Sequence, residues 1–258
     1  FLMRVNSPKK AAAEFAIAGK LEPASIDFKV KLADAFLAAK EYDASESVYL
    51  EVVKNDPKNL TAWQGLTSVL NKQGRFYEAM HTIRKGLALD PNNPSTHLLM
   101  AKSALEYAVQ FPNPENHAGE LDFARSEFER LAKLLPNDAE VQYHLGRAYV
   151  GLHNKKDGVA SLWKAHKLQP NNQEMGQMLV IVLRAMNDVP TALNVLSDLI
   201  KADPGNPPTN DLYGQTILQT KLPDKNTKAI ECFARAAKNG PRNPLYWQHL
   251  GDAQIQAN

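Results

Sequence analysis

A chain of 258 residues with 30 basic and 28 acidic side chains carries a net charge of only +2. It therefore lacks the whole-molecule field that recruits nucleic acid or an anionic membrane. Its one cysteine, Cys232, excludes an intrachain disulfide and a cysteine-based zinc site. The longest aliphatic run, Met178 to Leu183, is far short of the roughly 20 residues that cross a bilayer.

Taken in chain order, Phe1 to Val5 read as the end of a first helix, with Leu2 at an apolar column. The turn Asn6-Ser7-Pro8 and a second helix through Ala11 and Phe15 follow, and that helix stops at Pro23. The same order then recurs. First helices are marked by Leu32, Ala33 and Phe36; by Trp63, Leu66 and Leu70; and by Leu145, Gly146 and Tyr149. Further on they are marked by Leu179, Val180 and Leu183; by Tyr213, Gly214 and Ile217; and by Trp247, Leu250 and Gly251. Short polar turns such as Lys72-Gln73-Gly74-Arg75 separate first from second helices, and stops such as Asp56-Pro57-Lys58-Asn59 end the second ones. Proline cannot continue a helix, and the Asn or Ser after it can cap the next.

The stops form a ladder: Pro23, Pro57, Pro91, Pro136, Pro170, Pro204 and Pro241, with four steps of 34 residues, one of 45 and one of 37. A fixed period in this range means one supersecondary unit stacked many times. Twelve residues before each proline stand Ala11, Ser45, Ala79, Ala124, Gly158, Ala192 and Ala229, all small. Eight before stand Phe15, Tyr49, Ile83, Phe128, Leu162, Leu196 and Phe233, all large and apolar. Five before stand Ala18, Val52, Gly86, Leu131, Ala165, Leu199 and Ala236. Offsets of four and three place these columns on one helix face, where small residues admit a neighbouring helix and the large one fills its groove.

These columns and the 34-residue period resemble the tetratricopeptide repeat (TPR) family, most closely over residues 60–93. The resemblance implies an all-α, right-handed superhelical solenoid of antiparallel helix pairs. The expected organisation is one solenoid over 1–258, with units 1–25 (partial), 26–59, 60–93, 94–138, 139–172, 173–206, 207–243 and 244–258 (partial). Neither end reads as a polar capping helix, so the chain reads as a fragment of a longer array.

The register breaks twice. Eleven extra residues precede Pro136, and they are expected as a loop between the two helices, roughly Val109 to Gly119, because Pro112, Pro114 and Gly119 oppose continuous helix. Three more are expected near Leu222 to Asn226.

Catalytic patterns are absent: no phosphate-cradling glycine loop, no His-Glu-x-x-His and no Gly-x-Ser-x-Gly occur. The chain is therefore read as not an enzyme, with no cofactor and no metal. In the resembled family, ligand-facing positions are the second, fifth, ninth, twelfth and thirteenth of each repeat. On that basis the expected partner-binding groove comprises Gln64, Asn71, Lys72, Lys102, Tyr143, Arg147, Gln177, Arg184, Gln215 and Gln248. Gln and Asn can bond an extended backbone in either polarity. Tyr143, Arg147 and Arg184 are expected as anchors, because Tyr and Arg concentrate binding energy at interfaces. The carboxylate clamp of chaperone-binding relatives is not expected, since Val30 and Asp34, and then Gln64 and Ser68, fill its opening positions.

The resemblance thus implies a protein–protein interaction scaffold or adaptor holding a peptide or helix in its concave groove. The alternative is a regulatory or substrate-selecting arm of a larger enzyme such as a glycosyltransferase. The expected partners are another protein and, through the solenoid ends, a second copy; nucleic acid and membrane insertion are not expected. By family analogy the compartment would be a bacterial cytoplasm or periplasm.

Overall fold

The computed structural model describes residues 7–112 and 114–257, the side chains of 114–117 excepted. The expected helix tail at Phe1 to Val5 lies outside the described residues. Among these, the only regular element is the α-helix: α1 (Pro8–Leu21), α2 (Ile26–Ala38), α3 (Tyr42–Asn55), α4 (Leu60–Lys72), α5 (Phe76–Leu89), α6 (Pro94–Gln110), α7 (Pro114–Leu134), α8 (Ala139–Gly151), α9 (Lys155–Leu168), α10 (Gln173–Ala185), α11 (Val189–Ala202), α12 (Pro207–Leu218), α13 (Lys225–Asn239) and α14 (Pro244–Ala257). Even-numbered helices are the first helices of the sequence repeat and odd-numbered ones the second. The chain divides into two compact units, Phe1–Leu131 and Ala132–Asn258. From α1 to α6, and from α8 to α14, each helix packs on the next in sequence, and first helices also touch first helices: α2 meets α4, α4 meets α6, and α10 meets α12. Each unit is therefore a stack of antiparallel helix pairs whose first helices line one face.

The three columns form the core. From the second repeat onward every small, large and final column residue is buried, from Ser45, Tyr49 and Val52 through Ala229, Phe233 and Ala236. Burying each large member stabilises the stack by about 1.5–3 kcal/mol. Only Phe15 and Ala18 of α1 are half-exposed. Gly146 and Gly158 explain how closely α8 meets α9. A Cβ on Gly146 would stand 3.0 Å from the Gly158 carbonyl oxygen and 2.6 Å from Leu162 Cγ.

The proline stops all fall in turns, and polar bonds fix them. Asn59, Asn93, Asp138, Asn172 and Asn206 each accept a hydrogen bond from the backbone N–H three residues on, closing a free helix end. A second bond recurs six residues after the stop. Trp63 Nε1 donates to the Pro57 carbonyl (2.9 Å), Asn210 Nδ2 to Pro204 (3.0 Å) and Trp247 Nε1 to Pro241 (3.1 Å), while His97 Nε2 lies 2.8 Å from the Pro91 carbonyl. Four different cycles thus use a side-chain N–H to hold the turn against the next helix. Within repeats, the helix-to-helix turns place Lys40, Gly74, His153 and Asn187 at positive φ, between 61° and 77°.

The two insertions are absorbed differently. The segment expected as a loop at Val109 to Gly119 is largely helical: α6 continues to Gln110 and α7 starts at Pro114. Helix α6 has 17 residues where α4 has 13, and α7 has 21 where α5 has 14. These extensions of four and seven residues take up all 11. Proline is tolerated in the first turn of a helix because no N–H is needed there, so Pro114 opens α7 instead of forbidding it. The three-residue insertion stays in a turn: six residues, 219–224, join α12 to α13, where three, 73–75, join α4 to α5.

Candidate functional site

The face lined by first helices is the natural binding wall, and the structure sorts its expected residues into two kinds. Fifth-position side chains reach the next repeat. Gln64 Nε2 donates to Thr96 Oγ1 (2.8 Å) and Asn93 Oδ1 (3.3 Å). Gln177 Nε2 does the same to Thr209 Oγ1 (2.7 Å) and Asn206 Oδ1 (3.2 Å). Tyr143, buried, donates its hydroxyl to Glu174 Oε1 (2.9 Å). Asp211, also buried, lies 2.7 Å from His249 Nδ1. All four side chains reach from one first helix to the start of the next or into its middle. They stitch repeats together, since buried polar groups need partners and find them here across the repeat boundary.

In the second unit the ninth and twelfth positions are differently placed. The Arg147 guanidinium stands over the Tyr143 ring, 5.7 Å from its centroid, and one of its nitrogens is 3.4 Å from His144 Nδ1. Arg184, half-buried, donates to Gln215 Oε1 (3.2 Å) and Gln219 Oε1 (3.4 Å), and Gln215 Nε2 donates in turn to Asp211 Oδ2 (2.8 Å). A polar chain Arg184–Gln215–Asp211–His249 therefore runs across α10, α12 and α14. Burial pushes the Arg184 guanidinium below its ordinary value, and the nearby Asp211 charge opposes that shift. Ile181, 50% exposed, occupies on α10 the position Arg147 occupies on α8, one helical turn from Arg184. The expected three-residue anchor is thus divided: Tyr143 and Arg147 are in contact, whereas Arg184 joins Gln215 and Gln219. Gln248 is exposed on α14.

In the first unit Lys72 is exposed and Lys102 half-buried. Asn71 is half-buried with its Oδ1 enclosed and without a hydrogen-bond partner. Asp34, at a ninth position, accepts the hydroxyl of buried Tyr49. Burial pushes both groups upward; the bond from Tyr49 partly offsets the shift of Asp34, and the bond to Asp34 adds to that of Tyr49. Sequence reasoning passed over His249 and Glu174. The signal lay in spacing, since Glu174 follows Tyr143 by 31 residues and Thr96 follows Gln64 by 32, one repeat less a few residues. Among the described residues no three His, Cys, Asp or Glu side chains gather as a metal site, and no helix is long and apolar enough to cross a membrane.

Comparison with known proteins agrees with the helix-pair fold. The tetratricopeptide repeat family model matches residues 2–59 and 30–94. The whole fold extends the match: a chain of the APC/C hetero-tetramer Cut9–Hcn1 superposes with a TM-score of 0.78 over 98% of this chain and 47% of its own, at 13% identity. Residues 2–94 thus match the tetratricopeptide repeat family, and the fold is that of TPR structures. Another TPR structure, YrrB, described as having an unusual peptide-binding site, matches with a TM-score of 0.54 at 18% identity, over 78% of this chain and 96% of its own. In sequence, the cytochrome c-type biogenesis protein CycH of Bradyrhizobium diazoefficiens is 25% identical over 179 residues, 68% of this chain. The chain spans only 42% of that relative's length. TPR arrays are protein–protein interaction scaffolds, and this chain has their fold.

Proposed function

We propose that this TPR chain is a non-catalytic scaffold that holds a peptide or helix of another protein on the first-helix face of its second unit, within a multiprotein assembly. The observation that carries the reading is the surroundings of Ile181. An exposed isoleucine lies one turn from half-buried Arg184 and at the same register as Arg147 on the neighbouring first helix. Apolar side chains framed by arginine are the usual centre of an interface. Arg184 has already lost part of its water and is held by two amide oxygens, so less ordering and desolvation remain to oppose binding. Of the groove residues expected from sequence, Arg147, Arg184 and Gln215 belong to this proposed patch, while Tyr143 and Gln177 support it by stitching the repeats of the same unit. The peptide-binding description of YrrB supports the ligand class, and the likeness to a cytochrome c-type biogenesis protein supports an assembly role.

A photo-crosslinking amino acid placed at Ile181 of the full chain, in its native extract, tests this reading. A discrete crosslinked partner that disappears when Arg184→Glu is added is the expected result. Equal crosslinking with and without Arg184→Glu would remove the patch from consideration.

A further inference from the structure

The second helices of the second unit carry an excess of positive charge that the near-zero net charge of the chain conceals. Helix α9 (KKDGVASLWKAHKL) has four lysines against Asp157, and α13 (KNTKAIECFARAAKN) has three lysines and an arginine against Glu231. Between them α11 is balanced, with Lys201 paired to Asp198 at 2.9 Å. Two of the acids nearby are already engaged: Asp157 accepts from Asn154 Nδ2 (2.7 Å), and Asp224 pairs with Lys228 (2.8 Å).

Spacing aligns the cations. Lys156, Lys164 and Lys167 fall at i, i+8 and i+11, one face of α9, and Lys228, Arg235 and Lys238 fall at i, i+7 and i+10, one face of α13. All six are exposed. Lys156, Lys164, Lys167 and Lys238 have no ion pair among the described residues. Like charges one turn apart repel, so this arrangement weakens the free protein.

Two arginines of the first unit are treated in the opposite way. Arg75 is bound by Glu46 (2.8 Å) and Glu78 (2.7 Å), and Arg125 by Asp122 (2.8 Å) and Glu129 (2.6 Å). Its helix α3 has three acids against Lys54. Neutralisation in place is thus available to this fold, and the second unit uses it for Lys201 and Lys228 but not for Lys156, Lys164, Lys167 or Lys238.

We propose that the solvent side of α9 and α13 is a docking surface for an acidic polypeptide segment, separate from the first-helix face. Charge complementarity selects the sign of the partner, and the side chains select its class. Membrane-surface helices bury an apolar face in the headgroup region, yet the only large apolar residue exposed on α9, α11 or α13 is Leu168 at the end of α9. Single-stranded nucleic acid needs exposed aromatic platforms, but Trp163 is half-buried and Phe233 buried. Lysines dominate, and an ammonium acts as a point charge that pairs with carboxylates without fixed geometry.

The test is fluorescence anisotropy of the full chain with three probes: a labelled Asp/Glu-rich peptide, a labelled DNA duplex of equal charge, and phosphatidylglycerol vesicles. Wild type is compared with Lys156→Glu/Lys164→Glu/Lys167→Glu and with Arg147→Glu/Arg184→Glu, and circular dichroism checks that each variant is folded. The acidic peptide is expected to bind best, to weaken by about tenfold or more in the lysine variant, to weaken similarly as salt rises, and to be unaffected by the arginine variant. If the charge reversal unfolds the chain, the corresponding triple Lys→Gln variant is expected to lose about threefold or more. Unchanged peptide binding in the folded lysine variant overturns the proposal. So does tighter binding of the duplex or of the vesicles than of the peptide.

Discussion

In the first unit Gln64 reaches Thr96 at 2.8 Å, and in the second Gln177 reaches Thr209 at 2.7 Å, each by the same route across a repeat boundary. The second helices of the same two stacks diverge, with Arg75 and Arg125 neutralised by carboxylates in one and Lys156, Lys164 and Lys167 left without an ion pair among the described residues in the other. The comparison separates two kinds of polar residue in a repeat fold. Those that bridge repeats are constrained by burial and by the cost of an unpaired group. Those on the second-helix face are solvated, contribute little to stability and are free to specify a partner.

The largest effect is expected where the second unit is tightest. Gly146→Val puts a branched side chain against the Gly158 carbonyl and Leu162 and should cost about 3 kcal/mol. Urea unfolding of the variant checks it, and a near-neutral result would mean that α8 and α9 can part without penalty. Next, Gln64→Ala and Gln177→Ala should each cost about 1 kcal/mol. Similar shifts in the two variants support a common stitch. A loss confined to one of them would break the comparison between the units.

The units should also respond to pH in opposite directions. Tyr49 in the first unit is pushed above its ordinary value by burial and by Asp34. The folded state therefore keeps the proton that the unfolded chain loses near pH ~10. That stabilisation is present below this pH and is lost as pH rises past it, and Tyr49→Phe should flatten the alkaline limb. His166 in the second unit is pushed down by burial, against a smaller opposing effect of Asp198, and its Nδ1 is enclosed without a partner. Here the unfolded chain takes up a proton first, so stability falls as pH drops below ~6.5. His166→Leu should flatten the acid limb. Unfolding midpoints across both limbs, for wild type and the two variants, check the signs. The smallest effect is a gain: His153→Gly relieves a left-handed backbone position and should stabilise by about 0.5 kcal/mol.

The helix pairs were legible in the sequence because burial acts on every repeat alike. The Ser45, Tyr49 and Val52 columns recur with their burial down to Ala229, Phe233 and Ala236. The side-chain assignments at the site were less legible. A polar residue at a fifth position has the same spacing whether it faces a groove or the following repeat, and Gln64 and Gln177 took the second course. The insertion was misread for a related reason. Pro112 and Pro114 signal a break, but only backbone geometry shows that α6 runs to Gln110 and that Pro114 starts a helix. The lysine rows of α9 and α13 escaped notice because a chain-wide charge of +2 averages them against the acids of α3 and α7.

The account rests most directly on the first-helix face of the second unit as the place where a partner is held. Affinity capture from the native extract with the full chain, wild type against Arg147→Glu/Arg184→Glu, followed by mass spectrometry and a binding measurement on the purified partner, tests it. The account predicts one partner that binds wild type and is weakened by about tenfold or more in the double variant. A partner that binds both proteins with equal affinity would contradict it.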